Sequence, residues 1–185
     1  MEIKLKDIAT IQFGYYAQPS SKGTIPYVQA KNFDDVGHNM QNYDCYLEED
    51  SKTAANLLQD GDILFAAKGF RFFATLYNKQ IGKAVASSIF FIIRPDTERI
   101  IPGYLLSVLN LPKNLLHFQQ SGAGSNIPSI RKSELADFTF NLIPKKEQQM
   151  IVALQELYLK DMAISKHLIN EKQKLFQTTI SKIIN

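Results

Sequence analysis

The sequence predicts an α+β domain with a curved, largely antiparallel sheet and short helices, followed by one long C-terminal helix. Two observations predict this fold. Short apolar stretches and helical stretches mix along the first 143 residues, without the regular strand–helix–strand order of a parallel sheet. From Lys145 to Ile184 the chain then runs without a Gly or a Pro. We therefore expect one compact domain, called the head below, over residues 1–143 and a long helix over residues 144–185.

The predicted strands of the domain are short and are bounded by Gly, Pro or Asn. Residues 1–14 suggest a strand or a short helix that ends at Gly14, and an exposed polar loop continues to Gly23. Further strands are predicted over residues 25–30, 63–69, 70–77 and 84–94. Helices are predicted over residues 51–59 and 102–120, and short extended pieces over residues 127–130 and 135–142.

The C-terminal helix carries two apolar stripes at heptad-like spacing. Pro144 precedes it and suits a helix start, because the first turn does not need that N–H. One stripe comprises Met150, Leu154, Leu157, Ile164, Leu168 and Leu175; the other comprises Ile151, Tyr158, Met162, Ile169, Phe176, Ile180 and Ile183. Forty residues at about 1.5 Å each span roughly 60 Å, more than the core of this domain needs. We expect the helix to pack partly on its own domain and partly on another helix. The alternative is a helix packed wholly on its own domain.

Composition excludes several classes of protein. A single Cys45 rules out a disulfide framework. No apolar run is long enough to cross a bilayer, and the opening MEIKLKD is unlike a signal peptide. These features predict a cytoplasmic protein without a membrane contact.

The charges are unevenly distributed along the chain. Residues 31–62 carry eight acidic side chains and two lysines, whereas residues 63–95 carry five basic side chains and no acid. Such polarity can favour a polyanion on one face of a nearly neutral protein. It is also common in ordinary soluble proteins, so it is compatible with DNA binding without requiring it.

The motifs that would indicate an enzyme are weak. Residues 122–127 resemble the start of a dinucleotide-binding motif, but the third Gly is missing and a helix precedes it instead of a strand. Asp96 and Glu98 stand near a Pro, where a turn is more common than a metal site. His38, His117 and His167 have no partner at catalytic or metal-ligand spacing. We predict neither catalysis nor a cofactor.

The remaining polar residues suit nucleic acid. Aromatic and basic residues interleave in the segment Lys68–Phe73, and the segments 15–22 and 29–32 offer Tyr, Gln, Ser, Lys and Asn. For Phe65, Phe72 and Phe73 we favour plain core packing. For the cations of this segment, a solvated turn and a phosphate contact are equally compatible with the sequence.

An ordered series of motifs resembles a known family. The series runs from Gly14 through Gly61–Phe65 with Gly69, Ser88–Pro95, Tyr104–Leu105, Gly122, Ile127–Ile130 and Leu135 to Pro144–Ile151. Together these resemble one target-recognition domain, with its following helix, of a type I restriction-modification DNA specificity subunit. The resemblance covers nearly the whole chain.

The resemblance implies a function and a set of partners. Members of that family usually carry two recognition domains, held apart by two antiparallel helices, so that each domain reads one half of a bipartite duplex target. This chain has one domain and one helix, as a half-subunit or a fragment would. A half-subunit would pair with itself through the helix and would dock modification (methyltransferase) subunits, with restriction subunits beyond them. Those partners would hold the methyl donor, the ATP and the nuclease chemistry.

The residues that touch DNA are assigned on chemical type and expected exposure. For base edges we predict Tyr16, Gln18, Gln29, Asn32 and Asn126. For phosphates we predict Lys22, Lys31, Lys68, Arg71, Ser125, Arg131 and Lys132. For the partner face of the helix we predict Leu154, Leu157, Ile164, Leu168 and Leu175. The acidic segment 44–50 should face away from DNA or toward a partner. The rival hypothesis is a dimerising adaptor or decoy that binds modification subunits without reading DNA.

Overall fold

The computed structural model describes residues 1–34, 37, 40, 42–122 and 127–184, and it confirms the α+β class. The strands are β1 (Glu2–Lys4), β2 (Ala9–Phe13), β3 (Ile25–Val28), β4 (Tyr46–Leu47), β5 (Ile63–Ala66), β6 (Ala74–Leu76), β7 (Val85–Ala86), β8 (Phe90–Pro95) and β9 (Thr139–Asn141). The α-helices are α1 (Ser51–Ala55), α2 (Pro102–Leu109), α3 (Pro112–Ser121), α4 (Lys132–Ala136) and α5 (Lys145–Ile184). Single 3₁₀ turns lie at Leu5–Asp7, Ala30–Asn32 and Lys79–Ile81.

The strands form three small sheets that are largely antiparallel, as predicted. The main sheet has the order β2-β8-β5-β6, and every pairing in it is antiparallel. A second sheet has the order β4-β3-β7, in which β3 and β7 run parallel. The third sheet pairs β1 with β9 and so ties the N-terminus to the residues just before α5.

The central strands β5 and β8 of the main sheet are buried on both faces, which explains why β5 reads as a continuous apolar run. Side chains alternate across a strand, so Ile63 and Phe65 point to one face while Leu64 and Ala66 point to the other. The first face packs on α2, α3 and α4 through residues such as Leu105. The second face packs toward the sheet formed by β4, β3 and β7.

The strands predicted over 25–30, 63–69, 70–77 and 84–94 are all shorter than expected, and the last two differ most. The apolar run 84–94 is divided by a turn in which the Phe90 N–H donates to the Ser87 carbonyl at 3.0 Å, so that β7 and β8 enter different sheets. The run 70–77 is a strand only over Ala74–Leu76, because the residues before it form a loop that includes Gly69 at φ 110°. The apolar character of a segment does not indicate which neighbouring strand each part of it pairs with.

One predicted helix and one predicted extended piece are also corrected. The helix expected over residues 102–120 breaks into α2 and α3 at Pro112, which has no N–H to continue the first helix and starts the second. The extended piece expected over 135–142 is wrong in its first part, since Leu135 lies in α4 and only Thr139–Asn141 is a strand. At the start of α4, the Arg131 N–H donates to Glu134 Oε2 at 2.8 Å and stabilises the short helix.

The predicted C-terminal helix is present as α5, which docks on α2 through its first three turns. Gln148 is the buried residue of α5 among the residues described, and its Oε1 accepts from the Ile101 N–H at 2.8 Å. Val152 lies against Gly103, where a Cβ would come within 3.0 Å of a valine methyl. The Ser107 hydroxyl donates to Gln155 Oε1 one turn later. Successive contact residues along α2 meet successive contact residues along α5, so the two helices run in the same direction.

Beyond Gln155 the side chains of α5 are exposed as far as Ile184. Both predicted apolar stripes therefore stand in solvent, and the alternative of a helix packed wholly on its own domain is wrong. Within the described residues, no helix combines the length and the apolar character that a bilayer crossing requires.

Candidate DNA interface

One end of the main sheet gathers exposed aromatic and basic side chains. The antiparallel register aligns Phe13 with Phe91, Phe91 with Phe65, and Phe65 with Ala74. The chain segments that leave the sheet here therefore lie side by side. We call this end of the sheet the loop end. The start of α5 is anchored at the opposite end, where Lys145 Nζ donates to the Thr97 carbonyl at 3.0 Å beyond β8.

The loop between β5 and β6 is the centre of the loop end. The Ala66 N–H donates to the Phe73 carbonyl at 2.8 Å and closes its base. On its outer side the loop pairs with residues 128–130: the Gly69 N–H donates to the Pro128 carbonyl at 2.9 Å, and the Ile130 N–H donates to the Ala67 carbonyl at 2.9 Å. These hydrogen bonds bring the start of α4 against the loop.

Cations and aromatic rings alternate on this surface. Lys68, Arg131 and Lys132 are exposed, and Lys132 Nζ stands 5.8 Å above the ring centre of the exposed Phe13. Tyr16, which follows β2, is exposed as well. Four of the predicted contact residues thus lie at or just beyond the loop end, in chemistry that suits phosphates and base faces.

Arg71 differs from Lys68, Arg131 and Lys132 because its side chain turns inward. Its guanidinium lies 3.4 Å from the carbonyl oxygens of Ala30 and Phe33 and 5.6 Å from the ring centre of Phe73. It therefore holds the loop against the second sheet. The neighbouring Phe72 and Phe73 are buried, as the core-packing interpretation predicted.

Asn32 is also placed where a base-reading role does not fit. Its side chain is 2% exposed; Oδ1 accepts from the Gln29 N–H at 2.7 Å, and Nδ2 donates to the Asn42 carbonyl at 2.5 Å. The oxygen of the amide thereby holds the start of the 3₁₀ turn, and its nitrogen ties the turn to the chain at Asn42. The prediction relied on residue type, which cannot distinguish a local structural amide from an exposed one. Gln29 itself is half-buried beside this turn.

We expect Asn32→Ala to lower the free energy of unfolding by about 1–3 kcal/mol, because it removes both hydrogen bonds that this buried amide makes with the backbone. Urea unfolding followed by circular dichroism would measure the change. Gln18→Ala, at an exposed position of the loop after β2, should stay within about 0.5 kcal/mol of the parent. Unchanged stability of Asn32→Ala together with weaker DNA binding would restore the base-reading role.

The remaining predicted cations and polar groups are dispersed. Lys22 and Gln18 are exposed in the loop after β2. Lys31 pairs with Asp44 at 2.6 Å, and hydrogen bonding between the two raises the pKa of the lysine and lowers the pKa of the carboxyl. Ser125 and Asn126 lie outside the described residues.

The uneven charge of the sequence is partly cancelled in the fold. Besides the Lys31 pair, Glu49 binds Lys83 at 2.5 Å, and the buried Asp62 holds Arg94. The acidic segment therefore contacts basic residues of its own domain. Lys68 comes from the basic segment and Lys132 from α4, and neither has an acidic partner within salt-bridge distance among the described residues.

Two features of this surface were not anticipated. Phe13 and Phe70 are both exposed, although strand and core patterns favour burial of phenylalanine. Phe13 directly precedes Gly14 at a strand end, which is the one hint in the sequence.

In the described part of the chain, no group of three His, Cys, Asp or Glu side chains is arranged to hold a metal ion.

The molecule thus belongs to a class of proteins in which a compact α+β head carries a long helix with bare apolar stripes. Comparison with known proteins gives the family. A profile described as "Type I restriction modification DNA specificity domain" matches residues 1–173. The chain belongs to the family of type I restriction modification DNA specificity domains.

Solved structures share the fold at low sequence identity. One, from work on complex assembly and conformational transition of the type I R-M system, has a TM-score of 0.66 at 18% identity, over 93% of this chain and 41% of that chain. The HsdS subunit from Thermoanaerobacter tengcongensis has a TM-score of 0.60 at 19% identity, over 90% and 39%. The type I restriction-modification S subunit from M. genitalium has a TM-score of 0.58 at 15% identity, over 87% and 40%. This chain spans about two fifths of those chains. No curated protein matches it.

Proposed function

We propose that this chain is a non-catalytic DNA specificity protein that recognises one half of a bipartite duplex target through the loop end. Its family membership supports DNA specificity. The observation that carries the proposal is the combination of an aromatic and basic surface at one end of the sheet with a long, bare helix anchored at the other. In this arrangement a domain can contact DNA while its helix binds other chains.

We further propose that α5 pairs with α5 of a second copy. The exposed stripe Leu154, Leu157, Ile164, Leu168 and Leu175 has the spacing of a helix–helix seam, and its side chains are not covered by the described residues of their own domain. Two-fold pairing would place one head at each end of the helix pair and would match an inverted repeat with a fixed gap. Modification (methyltransferase) subunits would dock on the helix pair and restriction subunits beyond them.

Selection from a random duplex library tests the proposal. The full chain, alone and together with a modification subunit, should enrich one split sequence made of two inverted half-sites. Enrichment of no sequence under either condition would contradict DNA recognition and favour the adaptor hypothesis, in which the protein binds modification subunits only.

We expect the double change Lys68→Glu and Lys132→Glu to weaken binding of the selected duplex by about 10- to 100-fold at low salt. Because each lysine lost removes one released counterion, the slope of log K against log salt should become shallower by about two for each copy bound, and so by about four for the pair. Fluorescence anisotropy over a salt series would measure both quantities.

The matched control for this double change is Lys52→Glu with Lys79→Glu, which alters the charge equally. Lys79 follows β6 at the end of the sheet opposite the loop end, and Lys52 lies in α1. The control should keep the parent slope. If both double variants lower the slope equally, general charge and not the loop end governs binding.

A further inference from the structure

Phe70 is the feature of the loop end that the proposed function leaves unexplained. Its side chain is 81% exposed, the highest value of any aromatic residue in the described part of the chain. A phenylalanine in this position gives up the free energy that burial of its ring would contribute. The exposure of this ring therefore calls for a functional explanation.

The exposure of Phe70 does not come from a loose segment. On the N-terminal side the Gly69 N–H donates to the Pro128 carbonyl at 2.9 Å, and Gly69 has φ 110°, a conformation that L side chains rarely adopt. On the C-terminal side Phe72 stacks with Phe65 at 6.5 Å between ring centres. The backbone on both sides is tied to the core, so the ring is held outward.

The surroundings of the ring are basic. Lys68 precedes it by two residues, and pairing of Lys68 with Ser129 brings the exposed Arg131 and Lys132 to the same side. The acid of α4, Glu134, accepts the Arg131 N–H. An apolar ring flanked by cations suits a DNA duplex, because the ring can contact a base step while the cations contact the phosphates on either side of it. An interface with another protein would more usually surround the ring with apolar and few charged side chains.

We propose that Phe70 is a wedge that inserts between two adjacent base pairs of the DNA target, unstacks them and bends the duplex. The inference rests on the proposed function, which it deepens by naming a specificity-determining residue. Unstacking is easiest at pyrimidine–purine steps, so Phe70 selects for sequence through deformability without a hydrogen bond to a base edge. The selected half-site should therefore contain a TA or CA step opposite the loop end.

The test uses the full chain and the duplex obtained by library selection, with 2-aminopurine placed in turn at each position of the half-site. The parent protein should raise the fluorescence several-fold at one step only. Phe70→Ala should abolish that rise and weaken binding by about tenfold, whereas Phe70→Leu, which keeps an apolar wedge, should retain part of both. Circular dichroism verifies that each variant is folded.

Phe176→Ala is the matched control, because Phe176 is a 67% exposed ring on the second stripe of α5, outside the loop end. It should leave the fluorescence rise in place. Specific binding by the parent without any unstacking would overturn the wedge alone, and so would a Phe70→Ala protein that still unstacks the step. Loss of modification-subunit binding with unchanged unstacking would make Phe70 a protein contact and would also overturn it. A parent that selects no duplex would defeat the proposed function and the wedge together.

Discussion

Replacing Leu154, Leu168 and Leu175 with Gln is expected to convert an α5-paired dimer into a monomer while the head stays folded. Leu154 is 68% exposed in the single chain, and the other two lie on the same stripe of the helix. Burial of a leucine contributes about 1.5–3 kcal/mol, and a two-fold pair would bury each of the three twice. The dissociation constant should therefore rise by at least about a thousandfold.

Multi-angle light scattering over a concentration series would measure this change. The parent mass should be twice that of the 21.0 kDa chain. The variant should elute at the mass of one chain with a head that unfolds at the parent temperature. The control replaces Ala163, Lys166 and Asn170, which are exposed on the side of the helix away from this stripe, with Gln and should leave the dimer intact. If the three leucine changes do not alter the mass, the stripe is not the pairing surface.

Arg94→Met should lower the free energy of unfolding by about 3 kcal/mol, the low end of the range for breaking a buried pair, since Arg94 is one-third exposed. Asp62 is 0% exposed, and its carboxylate accepts from Arg94 Nε at 2.7 Å and from Nη2 at 2.8 Å. The variant leaves that carboxylate without a counter-charge at the start of β5. The hydrogen bonds with Asp62 also raise the pKa of Arg94.

Urea unfolding would measure the effect, with Lys83→Met as the control. Lys83 forms an exposed pair with Glu49, and loss of such a pair costs about 0–1 kcal/mol. The double variant Asp62→Asn with Arg94→Met should recover part of the stability because it removes the buried charge. Equal losses for Arg94→Met and Lys83→Met would show that burial of Asp62 does not make its ion pair special.

The long helix was predictable from the sequence because its signals are local. An uninterrupted run without Gly or Pro and the heptad stripes are both properties of α5 itself, and no tertiary contact is needed to recognise them. The strand β5 was predictable for the same reason. The division of 84–94 into β7 and β8 was not, because both pieces are equally apolar and only their pairing with β3 and β5 separates them.

The candidate interface was predictable only in part. Residue type correctly predicted that Lys68 is exposed and that the neighbouring core phenylalanines are buried. It could not show that the Asn32 side chain is hydrogen-bonded to the backbone of its own segment. It also could not show that Arg71 turns inward. Phe70 stands two residues from a buried ring, so its outward direction depends on the Gly69 conformation and not on any periodic pattern.

A spacer between two DNA-reading heads sets the distance between the half-sites, so a change in the length of α5 tests its role most directly. A second copy of residues 165–171 inserted after Glu171 keeps the heptad phase and lengthens the helix by about 10.5 Å. Library selection with this variant should return the parent half-sites with a gap longer by about three base pairs, at 3.4 Å per base pair. A gap that stays at the parent length, or a selected sequence without a gap, would contradict the account.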